Sequence, residues 1–449
     1  MSTILEEATM PDTLDFPDPL SLARDLIRFP TVNPPGQEKA CMEFAGDLLA
    51  RHGVPVEFYA RDPERPNLVA RIRGRGEVPP LLLYGHLDVV PTEGQDWSVP
   101  PFEGIVKDGF LWGRGALDMK GGVAMLLSAF LHATRQVPPG DLILALLSDE
   151  EAGGQYGAAH LVTHHPALFE GVRHAIGEFG AFTLNLGGLR FFPIQIAEKR
   201  HCKLDLVFRA PGGHASVPPR VTAIGEAAAF IGRLGRAPMP PHISASAREM
   251  LRALGVGMRS PVARGLMRAL TRPALVPLAL RLLGARARMF EPLVRSLVTP
   301  TILEGGHKRN VVPEQVTVRC DVRLAPGQCV DAVRRHVTRL AGPTASIDIQ
   351  AEGEGDAAHA PDFSQFDLLA SIVHDIDPGA TAVPMLLPGV TDSRHFDKLG
   401  IQTYGFLPMV LPEDLNFMSL IHGADERIPI DTLAIGADAI KSFIARYRG

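Results

Sequence analysis

The sequence predicts an α/β protein with a mixed, mostly parallel sheet flanked by helices and interrupted by an inserted α+β domain. Apolar strands and helices alternate along roughly the first two hundred residues, which is typical of a sheet with helices on both faces. Near Lys199 the pattern changes to strands in which apolar and polar residues alternate, as in a sheet with one open face. The chain has 449 residues, more than a usual single core, so we expect two domains.

Hydrophobic periodicity gives the elements in chain order. In the main domain we predict helices at 20–29, 39–52, 122–134 and 157–164, and strands at 67–72, 81–87 and 142–148. In the inserted domain we predict strands at 202–208, 315–324 and 345–351, and helices at 222–234 and 328–340. The predicted boundaries are 1–197 and 355–449 for the two parts of the main domain and 198–354 for the inserted domain, which carries a helical insertion at about 245–300.

Composition excludes some classes of function. The formal charge is −5 and there is no long acidic or basic tail, so nucleic acid is not an expected partner. The four cysteines have no Cys-x-x-Cys spacing, and we expect them to be reduced and structural. Residues 1–18 are acidic and polar without an apolar core, so we expect no secretory signal and a cytoplasmic location.

The end of the predicted strand 81–87 presents two side chains that suit a metal. His86 and Asp88 are two residues apart, and the period of a strand points both to one face. A neutral imidazole can ligate a divalent ion while a neighbouring carboxylate fixes its tautomer. For this tripeptide alone, an ordinary strand-end turn with a solvated Asp88 is the alternative.

Four further segments carry acids or a histidine in comparable positions. Asp118 follows a glycine-rich loop, Glu150 and Glu151 follow an apolar strand, Glu178 ends a short apolar stretch, and His422 lies in a turn. Taken singly, these residues could be a helix cap, a solvated helix start and surface residues. Taken together they favour a metal site, because α/β sheets place their sites at the carboxyl ends of strands.

Three of these segments resemble the signatures of a known family. Gly-His-Leu-Asp-Val-Val-Pro at 85–91, Gly-Arg-Gly-x-x-Asp-Met-Lys-Gly-Gly at 113–122 and Ser-Asp-Glu-Glu at 148–151 are similar to motifs of the dinuclear-zinc amidohydrolases. That family includes acetylornithine deacetylase, succinyl-diaminopimelate desuccinylase, aminoacylase and glutamate carboxypeptidase. The resemblance implies two divalent ions per chain, most readily zinc, although cobalt and manganese accept the same ligands.

The resemblance also implies a role for each matching residue. Asp118 would bridge the two metals, Asp88 would orient His86, and Glu150 would be the general base. The remaining implied ligands are His86 and Glu178 at one metal and Glu151 and His422 at the other.

Two loops of the inserted domain resemble family loops that reach the substrate. The loop 210–216 contains His214, which the resemblance implies contacts the tetrahedral intermediate, often from a partner subunit. The loop 305–313 contains Asn310, which is implied to bind the substrate carboxylate. A surface histidine and a turn asparagine are the alternatives. In the family the inserted domain pairs two subunits and acts as a lid, so we expect a homodimer.

The chain departs from the glutamate carboxypeptidases after the last strand of the inserted domain. Those enzymes carry an arginine there, whereas residues 351–355 are Ala-Glu-Gly-Glu-Gly, which would repel a carboxylate. Arg394 is a candidate substitute, because a guanidinium binds a carboxylate in bidentate fashion. Its segment begins at Gly389, a further candidate for substrate contact, and resembles the branch of Gly-X carboxypeptidases and N-fatty-acyl-amino-acid hydrolases. An ion pair with Asp392 or Asp397 is the alternative for Arg394.

The insertion at about 245–300 is rich in arginine. It contains ten arginines and two glutamates among apolar residues, and its prolines should divide it into short helices. Packing on the main domain with the arginines in solvent is the interpretation that we favour. Contact with an acyl chain or a partner subunit, and contact with an anionic membrane, are the alternatives.

The sequence therefore predicts a metal-dependent hydrolase that cleaves the amide bond of an N-acyl amino acid or a dipeptide with a free carboxylate. If the insertion lines the pocket, long or aromatic acyl groups should be preferred. A strict dipeptidase or carboxypeptidase is the alternative among enzymes. Outside that class, the alternatives are a non-hydrolytic peptide- or lipid-binding protein on the same scaffold and a mononuclear metalloprotein.

Overall fold

The structure is a computed structural model that describes residues 16–342, 345–351 and 360–449. The chain forms two compact units, the first made by the residues up to Glu178 together with Phe406–Gly449, and the second by Phe179–Gly405. The first unit is therefore discontinuous in sequence. The predicted boundaries near 197 and 355 enclose a shorter second domain, and that division stays a prediction.

Both units combine helices with strands. The first unit begins with α1 (Pro19–Ile27), α2 (Lys39–Arg51), β1 (Val56–Tyr59), β2 (Asn67–Ile72), β3 (Leu81–His86), β4 (Ile105–Lys107), β5 (Phe110–Trp112), α3 (Lys120–His132), β6 (Leu142–Leu147), α4 (Ala158–His164) and β7 (His174–Gly177). The second unit contains β8 (Leu184–Leu186), β9 (Leu189–Glu198), β10 (Arg200–Arg209), β11 (Gly213–His214), α5 (Ala223–Arg236), α6 (Ala245–Gly257), α7 (Pro261–Leu270), α8 (Val276–Leu283), α9 (Ala287–Val294), β12 (Leu297–Glu304), β13 (Val311–Val312), β14 (Gln315–Leu324), α10 (Val330–Ala341), β15 (Ala345–Ala351), α11 (Phe366–Ile376), β16 (Thr381–Leu387), α12 (Ser393–Phe396) and β17 (Gln402–Gly405). The first unit then resumes with α13 (Phe417–Leu420), β18 (Arg427–Pro429) and α14 (Ile430–Arg446).

The first unit is built on strands in the order β1-β2-β6-β3-β7. β3 pairs in parallel with both β6 and β7, whereas β2 is antiparallel to β1 and to β6. Every residue of β3 and β6 is buried, which explains why both strands are almost entirely apolar. α3 packs on β3 and is itself covered by α1 and α14, so its apolar run is also buried. The predicted α/β class with a mixed sheet flanked by helices is confirmed.

The second unit contains an antiparallel sheet in the order β12-β14-β10-β15, with α5 packed on β10 and β14. Burial alternates along β10, where Cys202, Leu204, Leu206 and Phe208 face the core. The alternating pattern in the sequence therefore predicted a sheet with one open face correctly. The same unit holds β9 and β16, which pair in parallel.

The arginine-rich insertion forms the short helices α6, α7, α8 and α9. Prolines begin two of them, since Pro261 is the first residue of α7 and Pro277 lies in the first turn of α8. The apolar side of these helices packs on Phe191 of β9 and on Val383 and Leu386 of β16. Eight of the ten arginines are exposed. β9 and β16 belong to the same unit as the insertion, so its packing on the main domain stays a prediction, whereas the exposure of most arginines was expected.

In the part of the chain that the structure describes, no helix combines the length and the apolar character needed to cross a membrane. The cytoplasmic location stays a prediction.

Candidate metal centre and active site

Parallel pairing brings three strand ends together at one edge of the first unit. His86 is the last residue of β3 and pairs with Leu147, the last residue of β6, so residues 148–151 follow directly beside it. β7 lies on the other side of β3 and ends at Gly177, immediately before Glu178. Because the carboxyl ends of parallel strands share one edge of a sheet, the histidine and the acids converge there.

The Asp118 carboxylate lies between two histidines. Its Oδ1 is 3.2 Å from His86 Nε2, and its Oδ2 is 3.3 Å from His422 Nε2. His86 Nε2 is also 3.4 Å from Glu178 Oε2, and His422 Nε2 is 3.1 Å from Glu151 Oε2. Each imidazole thus faces the shared aspartate and one glutamate.

These distances fit divalent metals. Zinc binds nitrogen and oxygen ligands at about 2.0–2.2 Å, so two ligand atoms of one tetrahedral ion are about 3.4 Å apart. Glu151 Oε1 and Glu178 Oε1 are buried and have no hydrogen-bond partner among the described residues. Buried carboxylate oxygens without a donor call for a cation. Atoms that could bind a metal also lie within 4.8 Å of one another in two groups, one of His86, Glu150 and Glu178 and one of His86, Asp118 and Glu151.

The electrostatics of the centre agree with this fit. Hydrogen bonds to Asp118 and Glu151 raise the pKa of His422 to about 10, although burial opposes the shift. Burial raises the pKa of Glu151 to about 7, and the nearby charge of Asp118 adds to this effect. Burial lowers the pKa of His86, but the charge of Glu178 and hydrogen bonds to other carboxylates outweigh it, so the net shift is upward. The carboxylates of the centre therefore carry more negative charge than its two imidazoles can neutralise.

Asp88 contacts both sides of the centre. Its main-chain oxygen is 3.0 Å from His86 Nδ1 and its Oδ1 is 3.4 Å from the same atom, which leaves Nε2 directed at the carboxylates. Its carboxylate also accepts hydrogen bonds from the backbone N–H groups of Glu150 and Glu151 at 3.1 and 3.0 Å. Burial would raise the pKa of Asp88, but hydrogen bonds lower it. The residue therefore positions His86 and the glutamate turn together.

Asp149, the first acid of the triplet, has another function. It adopts a left-handed conformation with φ of 71°, and its carboxylate lies 3.0 Å from Arg65 Nη1. It also accepts hydrogen bonds from Asn33 Nδ2 and the Tyr156 N–H. Strain of this kind persists only where the surroundings fix it. Arg65, which also pairs with Glu38 at 2.7 Å, thus holds Asp149 outside the centre and leaves the following two acids for it.

Sequence reasoning did not identify Glu426 and Arg114. Glu426 is buried and accepts a hydrogen bond from Arg114 Nη1 at 2.6 Å. Its carboxylate also accepts the N–H groups of Gly115, Leu117 and Asp118 at 3.1, 2.7 and 3.0 Å. The loop that carries Asp118 is therefore held by a residue four positions after His422. In the sequence, Arg114 is a charged residue of the motif at 113–122 and Glu426 is one near His422, but no spacing indicates that the two side chains pair.

The turn of His422 is also fixed from outside the motif. His422 has a φ of 61°, and its main-chain oxygen accepts a hydrogen bond from Gln95 Nε2 at 2.8 Å. Gln95 Oε1 accepts from Arg114 Nη2 at 2.8 Å, which links this turn to the buried Arg114 and Glu426 pair. The His422 side chain is 49% exposed, whereas that of Glu151 is 6% exposed, so the centre opens to solvent beside His422.

Comparison with known proteins identifies the family. The model of "Peptidase family M20/M25/M40" matches residues 82–446 of this chain. The chain belongs to this family. Membership of this family makes it a metal-dependent hydrolase, and the resemblance inferred from the motifs is confirmed.

Individual relatives and solved structures of the M20 family agree with this assignment. The chain is 31% identical over 389 residues to the N-fatty-acyl-amino acid synthase/hydrolase PM20D1 of Bos taurus, covering 81% of this chain and 73% of the relative. A metallo-carboxypeptidase of the family from Sulfolobus solfataricus has the same fold, with a TM-score of 0.70, 18% identity and coverage of 96% and 100%. A dinuclear metal binding peptidase from Bacillus subtilis gives a TM-score of 0.60, 14% identity and coverage of 95% and 96%.

The other predicted site residues of this M20 chain lie in the second unit. His214 in β11 is exposed, and its Nδ1 is 2.7 Å from Ser216 Oγ. Its loop adjoins that of Asn310, because β11 pairs with β13 and the Ala215 N–H donates to the Asn310 main-chain oxygen at 3.0 Å.

Arg394 belongs to a separate part of the second unit. Its Nη1 donates to the Thr391 main-chain oxygen at 3.0 Å. Glu198 Oε2 accepts hydrogen bonds from the Thr391 N–H and hydroxyl, both at 2.8 Å. Gly389 precedes this turn, and a Cβ there would meet only ordinary contacts with Leu387, so packing does not require a glycine. Residues 352–355, which we expected to repel a carboxylate, lie outside the described residues.

Proposed function

We propose that the chain is a dinuclear metal-dependent amidase that hydrolyses N-acyl amino acids or dipeptides with a free carboxylate. The observation that carries the proposal is the Asp118 carboxylate, whose two oxygens face two different histidines. A ligand that bridges two ions is expected to divide its oxygens in this way. Membership of peptidase family M20/M25/M40 and the similarity to an N-fatty-acyl-amino acid synthase/hydrolase support the reaction class.

The proposed ligands divide between two positions. His86, Asp118 and Glu178 would hold one ion, and Asp118, Glu151 and His422 would hold the other. Imidazole and carboxylate ligands suit zinc, which we propose as the native metal. When bound, a pair of such ions lowers the pKa of water towards neutrality and polarises a carbonyl group.

Glu150 is the proposed general base. Its carboxylate belongs to the same compact group as His86 and Glu178, and its backbone N–H is fixed by Asp88. From there it would accept a proton from the attacking water and deliver it to the leaving nitrogen. Asp88 is the proposed positioning residue, because it contacts His86 and the glutamate turn at once.

The substrate contacts of the second unit are part of the same proposal. His214 would donate a hydrogen bond to the developing oxyanion. Asn310, Arg394 and Gly389 would contact the substrate carboxylate, and the guanidinium of Arg394 suits bidentate binding. A homodimer formed through the second unit also belongs to the proposal.

Glu150→Gln tests the reaction directly. Hydrolysis of N-acyl amino acids by zinc-loaded protein should fall by a factor of about 10² to 10⁴, the usual contribution of a general base. Metals per chain, counted by mass spectrometry, should stay at two. Glu170→Gln, a change at an exposed position of the same unit, is the matched control and should leave both quantities unchanged. Retained activity in Glu150→Gln would remove Glu150 from the mechanism, and one metal per wild-type chain would support the mononuclear alternative.

The acyl group is tested by comparing acetyl and long-chain acyl derivatives of one amino acid. Each buried methylene contributes about 0.8 kcal/mol, or about fourfold in binding. If the helical insertion lines the acyl pocket, kcat/KM should therefore rise with chain length. Equal or reversed values would contradict the long-chain preference and leave the amidase reaction itself intact.

A further inference from the structure

The helical insertion carries positive charge that the described residues leave almost entirely without ion pairs. Between residues 250 and 290 there are eight arginines and no acidic residue, and all eight arginines are exposed. Arg252 pairs with Glu249, whereas the seven from Arg259 to Arg288 form no ion pair with the described residues. The formal charge of the whole chain is −5, so this stretch reverses the charge locally.

Large aliphatic side chains are exposed in the same stretch. Fractional exposure reaches 82% for Val256, 73% for Val262, 66% for Leu282, 57% for Leu278 and 51% for Met289. Single exposed aliphatic residues are ordinary, but several of them within one short segment indicate a contact surface.

The geometry of α8 shows how charge and apolar surface combine. Leu278, Arg281 and Leu282 lie at positions i, i+3 and i+4 and therefore share one face of the helix. Val276 and Ala279 lie on the other side, buried in the apolar cluster that joins the insertion to its unit. The exposed leucines therefore do not contribute to that core.

We propose that this surface binds an anionic phospholipid bilayer. We call it the basic helical face and define it by the exposed side chains of residues 256–289. Guanidinium groups pair with phosphates in bidentate fashion, and aliphatic side chains enter the boundary between headgroups and acyl chains. Each basic residue near an anionic leaflet strengthens binding by about fivefold.

Charge and composition argue against two other occupants. A two-fold contact between copies of this chain would set the basic helical face against itself, and between residues 250 and 290 it has no acid to pair with the arginines. A nucleic acid would pair with the arginines but leave Leu278, Leu282 and Met289 in water. An anionic leaflet takes up both kinds of side chain.

Vesicle co-sedimentation of the zinc-loaded full chain tests the proposal. Vesicles of phosphatidylcholine mixed with phosphatidylserine should retain the protein, vesicles of pure phosphatidylcholine should not, and added salt should release it. Arg281→Glu should weaken retention by at least fivefold, and Leu278→Ser should weaken it several-fold. The controls are Arg236→Glu, on the exposed end of α5, and Leu303→Ser, at 59% exposure against 57% for Leu278.

Each outcome decides for or against the bilayer. Hydrolysis of a soluble substrate should be unchanged in all four variants, which shows that they are folded and separates this test from that of the proposed function. Equal retention on neutral and anionic vesicles, or equal effects of test and control variants, would overturn the proposal. Two other results would also overturn it. One is binding of a short DNA duplex that Arg281→Glu weakens and Leu278→Ser does not, and the other is a dimer that Leu278→Ser dissociates.

Discussion

Glu426→Gln tests how the loop of Asp118 is held. Each carboxylate oxygen of Glu426 accepts two hydrogen bonds, Oε1 from Leu117 and Asp118 and Oε2 from Arg114 and Gly115. Glutamine has the same size but replaces one oxygen with an NH₂ group. Whichever oxygen is replaced, the two N–H groups that it accepted then face the NH₂ group of glutamine, which is also a donor. The buried Arg114 also loses its counter-charge.

The expected loss follows from burial. Burial raises the pKa of Glu426 despite the Arg114 charge, so the pair as a whole is costly to bury. Breaking such a pair is nevertheless strongly destabilising, by about 3–5 kcal/mol, because it leaves an uncompensated buried charge. For a unit of this size about 1 kcal/mol corresponds to roughly 2–4 °C in Tm, so we expect a fall of roughly 6–20 °C. Movement of the loop should also lower the occupancy of the metal centre.

Thermal unfolding followed by circular dichroism, with metals counted on the same samples, gives the measurement. Glu249→Gln is the matched control, since Glu249 also lies 2.6 Å from an arginine, Arg252, but the two side chains are 41% and 59% exposed. Exposed pairs contribute about 0–1 kcal/mol, so this control should hardly change Tm. Equal losses in the two variants would refute the reasoning from burial.

Two further predictions concern neighbouring residues of the second unit. Glu198→Leu, which removes the acceptor oxygen, should raise KM by about tenfold with little change in kcat, because Glu198 holds Thr391 and hence the turn of Arg394; a fall in kcat alone would contradict this. Lys199 is buried, and burial lowers its pKa to about 7, with Arg323 adding to the effect. Because the pKa of Lys199 is lower in the folded than in the unfolded chain, the unfolded chain binds more protons as pH falls. The contribution of Lys199 to stability is therefore fully present above about pH 10.4, the unfolded pKa, and is lost as pH falls through 7. Between pH 9.5 and pH 7, the free energy of unfolding of the wild type should therefore fall by on the order of 3 kcal/mol relative to that of Lys199→Met, measured by urea unfolding at both pH values. The same difference in free energy between the two proteins at both pH values would contradict the lowered pKa.

The sequence was sufficient for the features that depend on local pattern. β3 and β6 are buried on both faces, so their apolar runs predicted strands of nearly the observed length. The ends of these strands carry His86 and the acids at 149–151, so the position of the candidate metal centre also followed. Pro261 marked a helix start inside the insertion because proline fits the first helical turn.

The supports of the centre were not predictable in the same way. Arg114 and Glu426 are separated by more than three hundred residues, and their pairing depends on the fold rather than on any spacing. Asp149 resembled its neighbours in sequence, yet its left-handed backbone turns it towards Arg65. The exposure of Leu278 and Leu282 likewise depended on which face of α8 packs inward.

The discontinuity of the first unit has a consequence for how the enzyme is made. His422 leaves the ribosome about 240 residues after Glu178, which at about 5–20 residues per second is a delay of roughly 12–50 s. During that interval a nascent chain has His86, Asp118, Glu151 and Glu178 but lacks the second imidazole and the Glu426 that fixes the Asp118 loop. The proposed paired centre is therefore completed late in translation, after the entire second unit has been synthesised.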